Sequence, residues 1–387
     1  MNVLNIVAFV AFATSTFTRS TDPIIPQIAT AFSVDPGTVA LLATAFALPY
    51  AAIQPVLGAL ADMFNKTRLM TGCLLVLVLA SVVAAFAPNI ELLFAMRVVS
   101  GIASGGVFPI ALAVVGDNVP LAQRQVALGR LLGAAMIGNL LGASGAGAVA
   151  DLFGWRGVFV ATALVGFVVL VVAVIGLRRL PDRAPGRFDL STLGPNYRAI
   201  FGNPEAKWCF GVVFVEAMLV FGLFPHVANL LAAAGEERAS IAGLVIAGFG
   251  LGALGYTLVV SRVLLLVSPR RLTIAGGMLM CLCFMALALR LSWLYEFVSF
   301  LLLGFGMYFM HGFIQVASTE LAPAARGSAL ALHSMAFYFG QAVGPVVYGH
   351  GFTDIGVGAT LIAGGIGLAV TGVVTAMTLR RADMAAT

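Results

Sequence analysis

The stretch FTRSTDPIIP, residues 17–26, puts Arg19 and Asp22 three residues apart directly after an almost purely apolar run. That spacing stacks two side chains on one helical face and lets them pair. A carboxylate beside a guanidinium keeps its charge, whereas one moved away into apolar surroundings takes up a proton. Asp22 is therefore a candidate proton carrier, and a static surface ion pair is the plainer alternative. Arg97 is a second arginine inside an apolar run. Neither arginine supplies the proton, because a guanidinium stays charged. Glu216, in CFGVVFVEAMLVFG, has no charged neighbour in sequence. A lone carboxylate in an apolar span reads as a proton carrier or as an anchor for a cationic substrate. Its alternative is a protonated packing residue.

Other polar residues recur at helical spacing. Tyr308, His311 and Gln315 share one face, His333, Phe337 and Gln341 another, and Tyr50 and Gln54 a third. These are candidate cavity-lining positions, and histidine adds a group that titrates near neutral pH. His226 and His350 are read as interfacial. Cys73, Cys209, Cys281 and Cys283 all lie in or beside apolar runs. A Cys-x-Cys pair supplies too few ligands for a metal, so no metal or cofactor is expected.

These residues need elements to hold them, and composition says which. The chain has 387 residues, is 61% hydrophobic and 10% charged, and has a mean hydropathy of +1.05. Soluble domains carry about 25% charged residues, so the sequence reads as an all-α integral membrane protein. Apolar runs of the length needed to cross a bilayer fall at roughly 3–30, 38–61, 68–87, 91–115, 127–149, 157–177, 208–233, 241–265, 272–290, 293–317, 327–349 and 356–379. The longest interruption, 178–207, is rich in Pro and Arg. It separates a six-helix bundle at 1–177 from another at 208–387, leaving a cytoplasmic central loop between them. With both termini cytoplasmic, all of the 21 Lys and Arg residues fall on that side except Arg156, Arg238 and Arg290, outside, and Arg19 and Arg97, within spans. That bias satisfies the positive-inside rule and places the chain in the inner membrane. The positive charges are scattered through short loops, so nucleic acid is not an expected partner. The N-terminal run has no basic region before it and ends in charges, unlike a cleavable signal.

The halves repeat. Displaced by the 202 residues that separate Arg124 from Arg326, Gly138, Gly142 and Gly147 match Gly340, Gly344 and Gly349. Parallel six-helix repeats are a transporter architecture with the site between halves.

Here the sequence resembles the major facilitator superfamily, in particular its drug and sugar:proton antiporter (efflux) branch. GALADMFNKTR resembles the superfamily's Gly-x-x-x-Asp-basic-x-Gly-basic-basic loop, with Gly58, Asp62, Lys66 and Arg68 in register. Met63 and Asn65 depart from it. The resemblance implies that these four form a cytoplasmic gate latch. RVVSGIASGG is similar to an antiporter motif in which an arginine precedes a small-residue face, here Arg97, Gly101 and Gly105, with Ser100 in place of Gln. The fifth span is similar to the glycine-rich antiporter motif, although Ala143 stands where that motif has proline; Pro345 supplies it in the second half. Gly101, Gly105, Gly138, Gly142, Gly340, Gly344 and Pro345 are read as helix-packing positions. The resemblance also implies that the first and fourth helices meet at the cavity, which would let Asp22 choose between Arg19 and Arg97.

The leading expectation is a twelve-helix, monomeric secondary transporter exporting a small organic solute in exchange for protons. A second is an organic-anion symporter or exchanger that uses Arg19 and Arg97 as carboxylate ligands. A transporter-like sensor is a third. An enzyme is not expected, since no nucleotide-binding loop or nucleophile motif occurs and the central loop is short.

Overall fold

The computed structural model describes residues 3–63, 65–119, 121–178 and 190–379, with side chains throughout except at 55–63, 112–113, 116–118, 121–126, 190–193 and 324. Every regular element in it is helical: α1 Val3–Arg19, α2 Ile25–Phe32, α3 Pro36–Met63, α4 Lys66–Ala85, α5 Ile90–Asn118, α6 Leu121–Leu177, α7 Leu190–Phe201, α8 Ala206–Phe221, α9 Val227–Ala233, α10 Ala239–Leu266, α11 Pro269–Ala288, α12 Trp293–Glu320, α13 Arg326–Asp354 and α14 Val357–Thr378. Among the described residues 11 stretches are long and apolar enough to cross a membrane. One of them, inside α6, holds two crossings, because Gly154 turns the chain with φ 70°. Only glycine enters that backbone region without strain. The hydropathy reading of separate fifth and sixth spans corresponds to the two arms on either side of Gly154. Bulky apolar side chains such as Leu164, Val168, Leu282 and Val370 are exposed on the helix flanks, as a lipid-facing surface requires.

Two expected spans are not continuous helices. The first breaks into α1 and α2 around a 3-10 turn at Asp22–Ile24, and the seventh into α8 and α9 around one at Phe224–His226. Each turn contains a proline, Pro23 or Pro225, which removes a backbone donor and blocks continuation of the preceding helix. The two prolines are displaced by the same 202 residues as the glycine repeat. The central interruption also holds a helix, α7, that hydropathy alone does not mark.

The chain forms two compact units. One comprises Met1–Phe188 and Pro225–Leu244, and the other Asp189–Phe224 and Val245–Thr387. The boundary runs through α10, and α9 groups with the first unit. In that unit α1 packs on α6, α3 on α5, and α4 on both α5 and α6. Ile6, Val10 and Phe17 of α1 bury against Val107 and Val114 of α5 and Leu131 and Leu170 of α6. In the other, α8 packs on α13 and α14, and α11 on α12 and α14.

Glycines set how close these helices come. A Cβ on Gly138 would strike the Phe12 carbonyl oxygen, and one on Gly142 would lie 2.6 Å from the Thr16 carbonyl oxygen. In the second unit Gly340 faces the Phe214 carbonyl, and Gly344 would put a Cβ 2.5 Å from the Met218 carbonyl. The repeated glycines therefore hold the same register, α6 on α1 and α13 on α8. Gly101 meets the Phe46 carbonyl and Gly105 the Tyr50 carbonyl, while Gly304 meets the Phe249 carbonyl. Pro345 lies buried within α13. In membranes such small-residue contacts supply the van der Waals packing that a hydrophobic effect does not.

Candidate functional site

The break after α1 builds the first site. Ending the helix at Arg19 turns Asp22 into the bundle, where it is 1% exposed, with Arg19 9% and Arg97 4% exposed. Arg19 Nη1 donates to Asp22 Oδ2 at 3.5 Å, while Oδ1 has no hydrogen-bond partner. The pair spans the end of a helix and a 3-10 turn; it does not lie along one continuous helical face as the spacing suggested. Arg97 projects from α5 and spends its donors on backbone. Its Nη1 donates to the Phe17 carbonyl at 3.0 Å and its Nε to the Leu42 carbonyl at 3.3 Å. Its guanidinium lies 4.3 Å from the centre of the Phe46 ring, a cation–π distance. Arg97 Nη2 is buried without a partner, beside a cavity lined by Ser20, Ser81 and Ser100. Asp22 feels the charge of both arginines, and its direct partner is Arg19. Breaking α1 before Asp22 leaves the Phe17 carbonyl free of its intrahelical backbone donor, and Arg97 at 3.0 Å and the Ser20 hydroxyl at 3.4 Å donate to it instead.

The second unit fills the corresponding positions differently. Arg19 and Asp22 align with Phe221 and Phe224 at the repeat offset of 202, and Phe46 and Arg97 with Phe249 and Phe300 at an offset of 203, the same one that relates Gly101 on Phe46 to Gly304 on Phe249. The four phenylalanines pack together, with Phe224 centred 5.0 Å from Phe221, 5.2 Å from Phe249 and 5.3 Å from Phe300. One repeat thus carries a charge cluster where the other carries an aromatic one.

Glu216 lies five residues before Phe221 of that aromatic cluster on α8 and is fully buried. It is not alone, as the sequence suggested: Oε2 lies 2.8 Å from Nδ1 of His311 on α12. His311 is centred 5.2 Å from His333 and 5.0 Å from Phe337 on α13, and 6.0 Å from Tyr308. The structure therefore brings together Glu216, Tyr308, His311, His333 and Phe337. Gln315, on the same expected face, is exposed, while Gln341 is buried on α13. Tyr50 and Gln54 are buried on α3, in the first unit, with Tyr50 5.9 Å from Phe46. His226 is buried at the Pro225 turn, and His350 is exposed.

Of the proposed gate, the side chains of Gly58 and Asp62 lie outside the described residues. Lys66 and Arg68 begin α4. Asn65, a departure from the superfamily pattern, caps that helix by accepting the Arg68 backbone N–H at 3.0 Å, a favoured role for Asn. Among the described residues no group of His, Cys, Asp and Glu is arranged to hold a metal.

Comparison with known proteins accords with this geometry. The sequence profile of the Major Facilitator Superfamily matches residues 7–345. An "Uncharacterized MFS-type transporter YwfA" of Bacillus subtilis (strain 168) is 23% identical over 231 residues, 59% of this chain and 56% of that protein. A "Multidrug resistance protein B homolog" of Mycobacterium tuberculosis (strain ATCC 25618 / H37Rv) is 33% identical over 162 residues, 41% of this chain and 29% of that one. The chain spans about half or less of the length of the curated relatives it matches. A bacterial homolog to the human lysosomal transporter Spinster, solved inward-facing and unoccupied, shares the fold with a TM-score of 0.73 at 18% identity, over 99% of this chain and 95% of that one. With its profile match running from α1 into α13, this multi-pass membrane protein belongs to the Major Facilitator Superfamily.

Proposed function

We propose that the chain is a secondary active transporter that exports a small organic solute in exchange for protons by alternating access. The observation that carries this reading is Asp22, a carboxylate 1% exposed at the break between α1 and α2. One of its oxygens rests on Arg19 and the other is unpartnered. A buried charge is retained at a cost of at least about 2.5–3.5 kcal/mol, which points to use. The Arg19 guanidinium favours the charged carboxylate and burial favours the protonated one, so a movement of the α1 end that separates the two tips Asp22 toward taking up a proton. Arg97 is tied to the carbonyls of Phe17 and Leu42, which holds it in place beside the pair. The relative named for multidrug resistance supports export. Cytoplasmic termini, a latch formed by Gly58, Asp62, Lys66 and Arg68, and action as a monomer complete the proposal.

Arg97 Nη2 favours a second reading. An unpartnered buried donor beside a small cavity, where Ser20, Ser81 and Ser100 stand among apolar side chains, offers a hydrogen bond to a carboxylate, which makes organic-anion symport or exchange the alternative.

Proteoliposomes with an imposed pH gradient and an internal pH dye test both. Solutes that dissipate the gradient in wild type and not in Asp22→Asn support the exchange reading. Equal dissipation by the two proteins overturns it. If organic acids alone are active and the activity is lost in Arg97→Met, the anion reading stands instead.

A further inference from the structure

Glu216, His311 and His333 come from three helices, and nothing in the Asp22 mechanism uses them. Glu216 Oε2 is engaged by His311 Nδ1 at 2.8 Å, but Oε1 is buried without a partner. His333 is 2% exposed, and neither ring nitrogen has a partner. Buried polar atoms are nearly always paired. Here three unpaired ones, a carboxylate oxygen and both nitrogens of one imidazole, occur around a single histidine. The surroundings are aromatic: Phe337 and Tyr308 flank His311, Tyr256 is centred 5.8 Å from Tyr308, and Phe221 is 5.4 Å from Phe337.

We propose that Glu216, His311 and His333 form a binding site for the ammonium group of an organic cation, and that this cation and a proton occupy the site alternately. The proposal rests on the proton-exchange reading above and names its substrate class. The charge balance is simple. With both imidazoles neutral, Glu216 carries a single negative charge in an apolar setting, which is costly unless paired. One proton on the Glu216–His311 pair neutralises it. An alkylammonium does the same by donating one N–H to Glu216 Oε1 and a second to a lone pair of neutral His333, its carbon chain lying over the Phe337 and Tyr308 rings. Two neutralising charges would leave the site positive. The proton shared by the Glu216–His311 pair therefore passes to solvent as the ammonium enters, and no bond of the ligand changes. Among the described residues, the titratable groups that interact with this cluster are Tyr308 on its own helix, His333 and Tyr338 on α13 and Tyr256 on α10; elsewhere on the elements packed against it, α8 carries Lys207 and Cys209, α7 carries Tyr197 and Arg198, and α14 carries none.

The test uses 1-naphthylmethylamine and its N,N,N-trimethyl analogue, which has the same charge and ring but no N–H. Binding to the purified full-length protein is measured by calorimetry between pH 5.5 and 8.5, in buffers of different ionisation enthalpy to count protons. The expected result is binding of both, release of about one proton per ligand at low pH, and affinity rising about tenfold per pH unit in that range. Glu216→Gln should lower affinity for both on the order of 100-fold. His333→Phe, which keeps a ring, should weaken the primary amine about tenfold and leave the quaternary one unchanged. Binding without proton release, unchanged affinity in Glu216→Gln, equal loss of both ligands in His333→Phe, or no binding of either cation overturns the proposal. If Glu216→Gln fails to fold, the His333→Phe pair of affinities and the wild-type proton count decide. Asp22→Asn separates this proposal from the transport reading. It should bind the amine normally while losing gradient-driven flux, so retained flux rejects the transport reading and leaves the binding result standing on its own.

Discussion

Replacing the charge cluster of the first unit by its aromatic counterpart separates what folds the protein from what makes it work. The substitutions are Arg19→Phe, Asp22→Phe and Arg97→Phe, with Phe46 already in place. In the second unit the four corresponding positions hold phenylalanines, three of them centred 5.0–5.3 Å from the fourth, Phe224. The repeat thus supplies a backbone known to accept that packing. Asp22→Phe alone removes the carboxylate that Arg19 pairs with, leaving buried positive charge beside Arg97. Breaking a buried pair in this way costs about 3–5 kcal/mol. The triple variant removes all three charges together, and well-packed apolar replacements of buried ionic clusters are often neutral or stabilising by about 1–4 kcal/mol. It should therefore be more stable than the single variant by several kcal/mol. Stability is read from urea titration in micelles followed by tryptophan fluorescence, with extrapolation to zero denaturant. Flux is read in the proteoliposome assay and should be absent from the triple variant. A triple variant as unstable as Asp22→Phe would refute the packing equivalence of the two repeats. One that still exchanged protons for solute would refute the role of Asp22.

Close packing and capping give two further expectations. Gly142→Val should destabilise by about 1–3 kcal/mol, because a Cβ there meets backbone atoms of Thr16 that cannot swing aside. Gly129→Ala, with nothing within 4 Å of its Cβ, should be neutral or slightly stabilising in the same titration. Asp151 accepts the backbone N–H groups of Ala239 and Ser240 at 2.9 and 3.0 Å and so caps α10. Asp151→Ala should cost about 1 kcal/mol and speed amide hydrogen exchange at Ala239 and Ser240; unchanged exchange would show that the cap is not maintained in solution.

Much of the fold is legible in the sequence because lipid imposes one-dimensional rules. Backbone groups in hydrocarbon must be satisfied within the segment, so apolar length alone marks the spans. The displaced glycines mark the repeat because close helix contact tolerates only small residues, as at Gly138 on Phe12 and Gly340 on Phe214. The charges that matter, Arg19, Asp22, Arg97 and Glu216, stand out because their cost in lipid makes them rare. Their partners do not stand out. Nothing local ties Glu216 to His311, 95 residues away, and the rotation of α12, set by its packing on α11 and α13, decides that His311 meets Glu216 while Gln315 is exposed. Nor does sequence separation show that Arg97 serves the carbonyls of Phe17 and Leu42. That role depends on α1 ending at Arg19, so that a carbonyl is left for the arginine of a distant helix to hold. Composition and periodicity determine which helices exist and which charges they carry. Which charge meets which follows from the rotation and closeness of helices, fixed by contacts far apart in the chain.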